Sequence, residues 1–263
     1  MNIVLFHPHE IDSPLPFADP RVQHLQKVLR KGPGDSFVAG MVNGPAGEAR
    51  ILSLSAEEGL RIQFSATSDG MPLHPVVLVI GFPRPIQLKR LLRDVASLGV
   101  QAVYLCGTEL GEKSYLKSTL SQESELAAML QDGSIQARST HVPAVFVHRD
   151  VAACLDALGE DGAMGAADTS VTVAGNSSIT VALDNVAPTC SLNSFLSGCG
   201  GGLELRGRGV VAAIGSERGW TAAERELFCE AGFTLCSMGQ RVLRTETAAT
   251  TATAIILSHM EIL

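Results

Sequence analysis

The first seventy residues alternate short apolar stretches with turn signals, namely Lys31-Gly32-Pro33-Gly34-Asp35, Asn43-Gly44-Pro45 and Glu58-Gly59. Residues 35–42, 49–54 and 60–66 read as strands about ten to twelve residues apart. That spacing suits a small β-barrel or sandwich. One helical stretch interrupts them: over residues 21–29, Val22, Leu25, Val28 and Leu29 recur at the helical period and share a face. A linker rich in Ser, Gly and Pro follows at 67–75.

Beyond the linker the pattern changes to alternating strand and helix. Residues 76–80 form a continuous apolar run, as a strand buried on both faces requires. Residues 86–98 form a helix with Leu88, Leu91, Leu92 and Val95 inward, stopped by Gly99. Further strands are predicted at 103–106, 144–147, 163–167, 180–183, 210–214 and 234–237. Helices are predicted at 119–130 and 151–158, from Thr221 to near Gly232, and from Thr245 to the end. The glycine cluster at 198–202 follows a helical stretch rather than a strand, so it reads as a loop and not as a dinucleotide fingerprint. Strands alternating with helices predict an α/β fold whose parallel sheet is covered on both faces. The expected division is a small β domain at 1–70 and an α/β domain at 71–263.

Composition narrows the class. With 263 residues, 46% hydrophobic and 18% charged, the chain suits a soluble protein of one large or two modest domains. Its longest apolar run, at 75–82, is too short to span a bilayer. The N-terminus lacks the basic region and apolar length of a signal peptide, which predicts a cytoplasmic protein. The six cysteines form no C-x-x-C pair and none lies near His at metal spacing, so buried free thiols are expected. His7-Pro8-His9 has no further ligands nearby, and no metal site is expected.

The net charge of −7 argues against a general polyanion binder, although a local basic patch can still serve a specific one. Arg21, His24, Lys27, Arg30 and Lys31 crowd into eleven residues, and Lys27 and Arg30 share a helix face. Lys89, Arg90 and Arg93, with Arg84 upstream, make a second cationic face. Such cations neutralise phosphates rather than read bases. Phe82 and Trp220 are the aromatic side chains available for base stacking, with core packing as the competing use.

Two strand-to-helix loops carry the candidate chemistry. The strand at 210–214 runs into Gly215-Ser216-Glu217-Arg218-Gly219-Trp220, and Thr221 to Glu224 then form a capping box. The strand at 234–237 runs into Met238-Gly239-Gln240-Arg241-Val242-Leu243-Arg244, with Thr245 as a helix N-cap and Glu246 in the first turn. In parallel sheets ligands bind where strands end, and glycine allows a sharp turn and close approach. The last helix is rich in small residues, from Ala248 to Ala254, as close packing against backbone demands.

These residues resemble a known family. Residues 214–220 are similar to the IGPEGGF motif of the ribosomal RNA small-subunit methyltransferase E family, with Ser216 in place of Pro and Arg218 in place of Gly. Residues 238–248 are similar to its LGxRILRTETA motif. Residues 23–35 are similar to its HHLxxVLRxxxGD, and Leu98-Gly99-Val100 matches the end of its ELGV helix. The resemblance implies a PUA-like RNA-binding barrel followed by a SPOUT domain with a trefoil knot, paired as a homodimer through the C-terminal helix. It implies S-adenosylmethionine as cofactor, held by Ile214, Gly215, Ser216, Glu217, Gly219, Met238, Gly239, Val242, Leu243 and Thr245. It implies 16S ribosomal RNA as partner, with methylation at N3 of a specific uridine.

That nitrogen bears a proton and is a poor nucleophile, so the reaction needs a cation to stabilise the uracil anion and a group to take the proton. Arg241 and Arg244 are the candidates for the first role, and Glu246 for orientation or base work. Arg21, His24, Lys27, Arg30, Lys31, Lys89 and Arg93 are the candidates for RNA contact. Two other readings stay open: methylation at another RNA position, such as a ribose hydroxyl, and a catalytically weak RNA-binding or ribosome-assembly factor.

Overall fold

A computed structural model describes residues 2–115, 122–160 and 178–263. The chain forms two compact units: Met1–Pro72 with Ser134–Val142, and Leu73–Gly133 with Pro143–Leu263.

The first unit is a four-stranded sheet in the order β1 (Val4–Phe6), β2 (Ser36–Met41), β3 (Ala46–Ser55), β4 (Gly59–Ser68). β1 pairs parallel with β2, and the remaining pairs are antiparallel. The three predicted strands are all present, and β1 comes from an apolar stretch too short to announce itself. Phe6, Leu25, Ile51 and Leu60 are fully buried between sheet and helix.

Helix α1 (Pro20–Lys27) starts where the Asp19 carboxylate accepts a hydrogen bond from the Arg21 amide at 2.8 Å. It buries Val22 and Leu25 as the periodicity predicts, but it stops two residues early. Val28 and Leu29 are 63% and 40% exposed instead of sharing the inward face. The reason is local: Arg30 takes a left-handed conformation (φ 52°), and the Lys31 amide turns back to the Leu25 carbonyl at 3.0 Å. Residues 134–142 complete this unit, with Thr140 Oγ1 donating to the Gly44 carbonyl at 2.7 Å and the Val142 amide to Asn43 Oδ1 at 2.9 Å.

The second unit is built on seven strands: β5 (His74–Gly81), β6 (Val100–Cys106), β7 (Ala144–His148), β8 (Ile179–Leu183), β9 (Cys190–Ser191), β10 (Val210–Ile214) and β11 (Thr234–Ser237). They lie in the order β7-β6-β5-β10-β8-β11-β9, and every neighbouring pair is parallel. The helices are α2 (Pro85–Ser97), α3 (Glu123–Gln136), α4 (Val151–Glu160), α5 (Leu192–Gly198), α6 (Gly202–Arg208), α7 (Ala222–Glu230) and α8 (Thr245–His259). All five residues of the central strand β10 are buried, which is why its sequence is a continuous apolar run.

In α2 the predicted inward residues Leu88, Leu91, Leu92 and Val95 are fully buried. The helix predicted at 119–130 is found six residues further along at its C-terminal end, while its start at 119–121 and the strand predicted at 163–167 lie outside the described residues. Phe82 and Trp220 are 3% and 2% exposed, so both rings pack in the core and neither is offered to a base.

Helix α8 packs on α2 and lies over β5 and β10. Its Ala248, Ala249, Ala252 and Thr253 are buried there, so its small residues permit close approach within the chain itself. Among the described residues no helix is long and apolar enough to cross a membrane, and no cluster of His, Cys, Asp and Glu is arranged to hold a metal. The six cysteines are free thiols, but Cys229 is exposed and Cys190 and Cys199 are half-buried, against the expectation of uniform burial.

Candidate functional site

Strands β10, β8 and β11 are neighbours, and being parallel they open at the same end of the sheet. Their loops enclose a cleft of about 190 Å³. The ten residues assigned to cofactor contact from the sequence, Ile214, Gly215, Ser216, Glu217, Gly219, Met238, Gly239, Val242, Leu243 and Thr245, all line it. The cleft also takes in Leu183 at the end of β8 and Asp184 and Asn185 after it, together with Arg218 and Ala248. The sequence offered a signal for the first three only in the strand predicted at 180–183, since the loop after it carries no glycine to mark it.

Glycine shapes this cleft through backbone conformation. Gly219 and Gly239 have φ of +69° and +99°, and a Cβ on either would meet nothing within 4 Å. A Cβ on Gly215 would fall 2.9 Å from the Gly219 Cα. The wall around these residues is therefore bare backbone that a ligand can approach closely.

The loop after β10 is held at several points. Thr245 Oγ1 donates to the Gly215 carbonyl at 3.2 Å, which fastens the start of α8 to this loop. Ser216 Oγ and Thr108 Oγ1 share a buried hydrogen bond of 2.9 Å. The Gly219 amide closes the turn on the Ser216 carbonyl at 2.9 Å. Glu217 accepts from the Arg84 amide at 2.9 Å, and Trp220 Nε1 donates to the Leu183 carbonyl at 3.1 Å. Glu224 forms the predicted capping box with Thr221 and also accepts from the Glu109 amide at 2.8 Å.

Asp184 organises the third loop. Its carboxylate accepts from Arg225 Nε at 2.9 Å, the Ala187 amide at 2.7 Å and the Val186 amide at 3.2 Å. Burial alone would raise its pKa, but the Arg225 side chain and the two amides outweigh that and hold it below the ordinary carboxylate range.

Of the three catalytic candidates, Arg241 lines the cleft and is exposed. Arg244 is the exposed residue just before α8, and Glu246 sits half-buried in its first turn; neither lines the cleft. The RNA-contact candidates divide by environment. The Arg21 guanidinium is bound by Glu10 at 2.8 Å, Asp19 at 2.7 Å and the Leu5 carbonyl at 2.9 Å, and it lies over the Phe6 ring. The RNA-contact candidate Arg21 is thus bound on several sides within the first unit. His24 Nε2 is buried without a hydrogen-bond partner among the described residues. Lys27, Arg30 and Lys89 are exposed and Lys31 half-buried, while Arg93 approaches Asp132 at 3.9 Å.

A parallel α/β sheet with a ligand cleft at its strand ends is one half of the classification. The other is that residues 70–257 match the RNA methyltransferase domain family. Ribosomal RNA small subunit methyltransferase E of Treponema pallidum is 40% identical over 98% of this chain and 91% of its own length. Ribosomal RNA small subunit methyltransferase E 1 of Borreliella burgdorferi is 25% identical over 99% of both chains. The chain belongs to the ribosomal RNA small subunit methyltransferase E family.

Its fold is shared with solved structures. One is a ribosomal RNA small subunit methyltransferase E from Neisseria gonorrhoeae bound to S-adenosyl methionine (TM-score 0.73, 21% identity, 98% of this chain and 97% of that one). Another is a probable rRNA-methyltransferase from Porphyromonas gingivalis (TM-score 0.76, 19% identity, 99% of both). The architecture, a seven-stranded parallel α/β unit with a small N-terminal β unit, is accordingly the one these structures have.

Proposed function

We propose that this chain methylates N3 of a specific uridine in 16S ribosomal RNA, with S-adenosylmethionine as methyl donor. The observation that carries the reading is the convergence of three strand-end loops, including both family motifs, on one cleft with bare glycine backbone.

The cleft fits the cofactor chemically. Leu183, Ile214, Met238, Leu243 and Ala248 offer apolar surface for a purine, while backbone groups beside Gly215 and Gly239 can serve its polar edge and ribose. When bound, the cofactor supplies an electrophilic methyl group on a sulfonium.

The chain's own residues then have three tasks. The loops orient donor and acceptor, which lowers the entropic part of the barrier. Arg241, at the cleft, stabilises the anion that forms when uracil N3 loses its proton, and Arg244 adds positive charge at the start of α8. Glu246, in the first turn of α8, orients the base or takes the proton. Lys27, Arg30 and Lys31 neutralise RNA phosphates, which gives residues 1–70 the role of an RNA-binding domain of PUA-like type, and Lys89 on α2 adds a further phosphate contact. The working assembly in this reading is a cytoplasmic homodimer, with the C-terminal loops threaded as a knot.

The test is mass-spectrometric mapping of 16S ribosomal RNA from a strain lacking the gene, with calorimetry of the purified protein against S-adenosylmethionine. Loss of one N3-methyluridine, restored by the gene, is the expected result. Persistence of that nucleotide overturns the target, and a missing ribose methyl would move the activity to a hydroxyl. Absence of cofactor binding at millimolar concentration leaves only the RNA-binding factor.

A further inference from the structure

The rim of the cleft carries a cation that, among the described residues, makes no ion pair. Arg218 lies at the tip of the turn between Ser216 and Gly219, lines the cleft and is exposed. Among the described residues it has no ion pair and no side-chain hydrogen bond. Of the acidic residues of the same cleft, one is neutralised by an ion pair and the other, Glu217, keeps its charge. Asp184 is bound by Arg225, and Glu217 accepts from the Arg84 amide.

The turn that presents Arg218 is fixed. Ser216 is tied to Thr108, the Gly219 amide closes on the Ser216 carbonyl, and Trp220 is tied to Leu183. Arg241 comes from the loop after β11, lines the same cleft and, among the described residues, also makes no ion pair. Two arginines from different loops thus line one cleft in a chain of net charge −7. Cations left without ion pairs at a cleft attract anionic ligands even in a chain of negative net charge. Guanidinium is suited to this, because its planar fork matches two oxygens of an oxyanion.

We infer that Arg218 is a positioning residue that receives an RNA backbone phosphodiester next to the target nucleotide, with Arg241 as its neighbour. The inference rests on the methyltransferase reading above. A backbone phosphate is the anion that fits, because Arg218 is at the exposed rim and a phosphodiester stays near solvent while a base enters. Its contact fixes the register of the RNA and carries no sequence information of its own. The competing anion of the same chemistry is the carboxylate of the cofactor.

The experiment compares the full-length chain with Arg218→Gln and Arg218→Lys. It measures affinity for a 16S ribosomal RNA fragment across salt concentrations, cofactor affinity by calorimetry, and KM and kcat. For Arg218→Gln the slope of log affinity against log salt shrinks by about 0.7–0.9, the loss of one phosphate contact. Its RNA KM rises several-fold, while kcat and cofactor affinity stay at wild-type values. Arg218→Lys keeps the salt slope and loses only part of the affinity. An unchanged slope with weakened cofactor binding would assign Arg218 to the cofactor carboxylate and overturn the inference. Unchanged RNA and cofactor binding would make it a solvated arginine and overturn it equally. A wild-type chain that neither binds cofactor nor methylates the RNA would instead bring down the methyltransferase reading itself.

Discussion

Removal of the Asp184 carboxylate tests how the cleft is held together. The side chain is 1% exposed and its partner Arg225 is 16% exposed. Asp184→Ala leaves a largely buried guanidinium without its charge and strips the Val186 and Ala187 amides of their acceptor. Breaking a buried pair from one side costs about 3–5 kcal/mol. The residual exposure of Arg225 brings that to the lower end, and an orphaned amide adds about 1 kcal/mol. The expected loss is therefore about 3–4 kcal/mol for Asp184→Ala. Asp184→Asn keeps the size and one acceptor oxygen, and should cost about half as much.

Urea unfolding followed by Trp220 fluorescence measures this directly. Trp220 is the single tryptophan and is buried in the second unit, so its signal reports that unit. The pH dependence supplies a second check. Because the folded pKa of Asp184 is depressed, its stabilisation is complete above the unfolded value of about 3.9 and disappears as pH falls through the folded value. The gap between wild type and Asp184→Asn should thus close in acid. Indifference of the Ala variant, within about 0.5 kcal/mol of wild type at pH 7, refutes the reasoning. So does a gap that stays constant down to low pH.

Two further outcomes follow from the geometry. Gly239→Ala should cost about 1–2 kcal/mol in urea unfolding, because its φ of +99° strains any residue with a Cβ. It should also weaken cofactor binding in calorimetry, and wild-type stability in this variant would contradict the backbone argument. In the first unit, the Arg21 side-chain hydrogen bond is the main cause holding Glu10 at a pKa of about 2. Its contribution to stability is complete above the unfolded glutamate value of about 4.3 and is lost as pH falls toward the folded one. An NMR titration of Glu10 should show that depressed midpoint in wild type and a return toward about 4.3 in Arg21→Gln. A normal midpoint in wild type would show that the ion pair does not form.

Local signals served well where one stretch of chain decides its own conformation. The apolar run of β10 required burial on both faces, and Thr221 with Glu224 marked the start of α7 through the capping box that the structure contains. The four inward residues of α2 followed from periodicity alone. The end of α1 did not, because the left-handed Arg30 ends the helix through a hydrogen bond from Lys31 back to Leu25. The addition of residues 134–142 to the first unit was equally hidden. It rests on contacts such as Thr140 with Gly44, almost a hundred residues apart in the chain.

The candidate site shows the same division. The two glycine loops could be recognised from sequence because glycine after a buried strand marks a turn that a ligand can approach. That Leu183, Asp184 and Asn185 join them depends on β8 lying between β10 and β11, an order no local pattern encodes. Arg21 and Arg218 make the contrast plain, since both are arginines in plausible anion-binding segments. Glu10 and Asp19 convert the first into an internal ion pair, and the closed turn after β10 leaves the second without an ion pair among the described residues. The sequence by itself determined most of the strands and longer helices, the glycine turns and the family, but not β9 (Cys190–Ser191) or α6 (Gly202–Arg208). Only the tertiary structure decided which charges are neutralised within the fold and which face the cleft, because a charge is assigned by its neighbours in space and those come from distant parts of the chain.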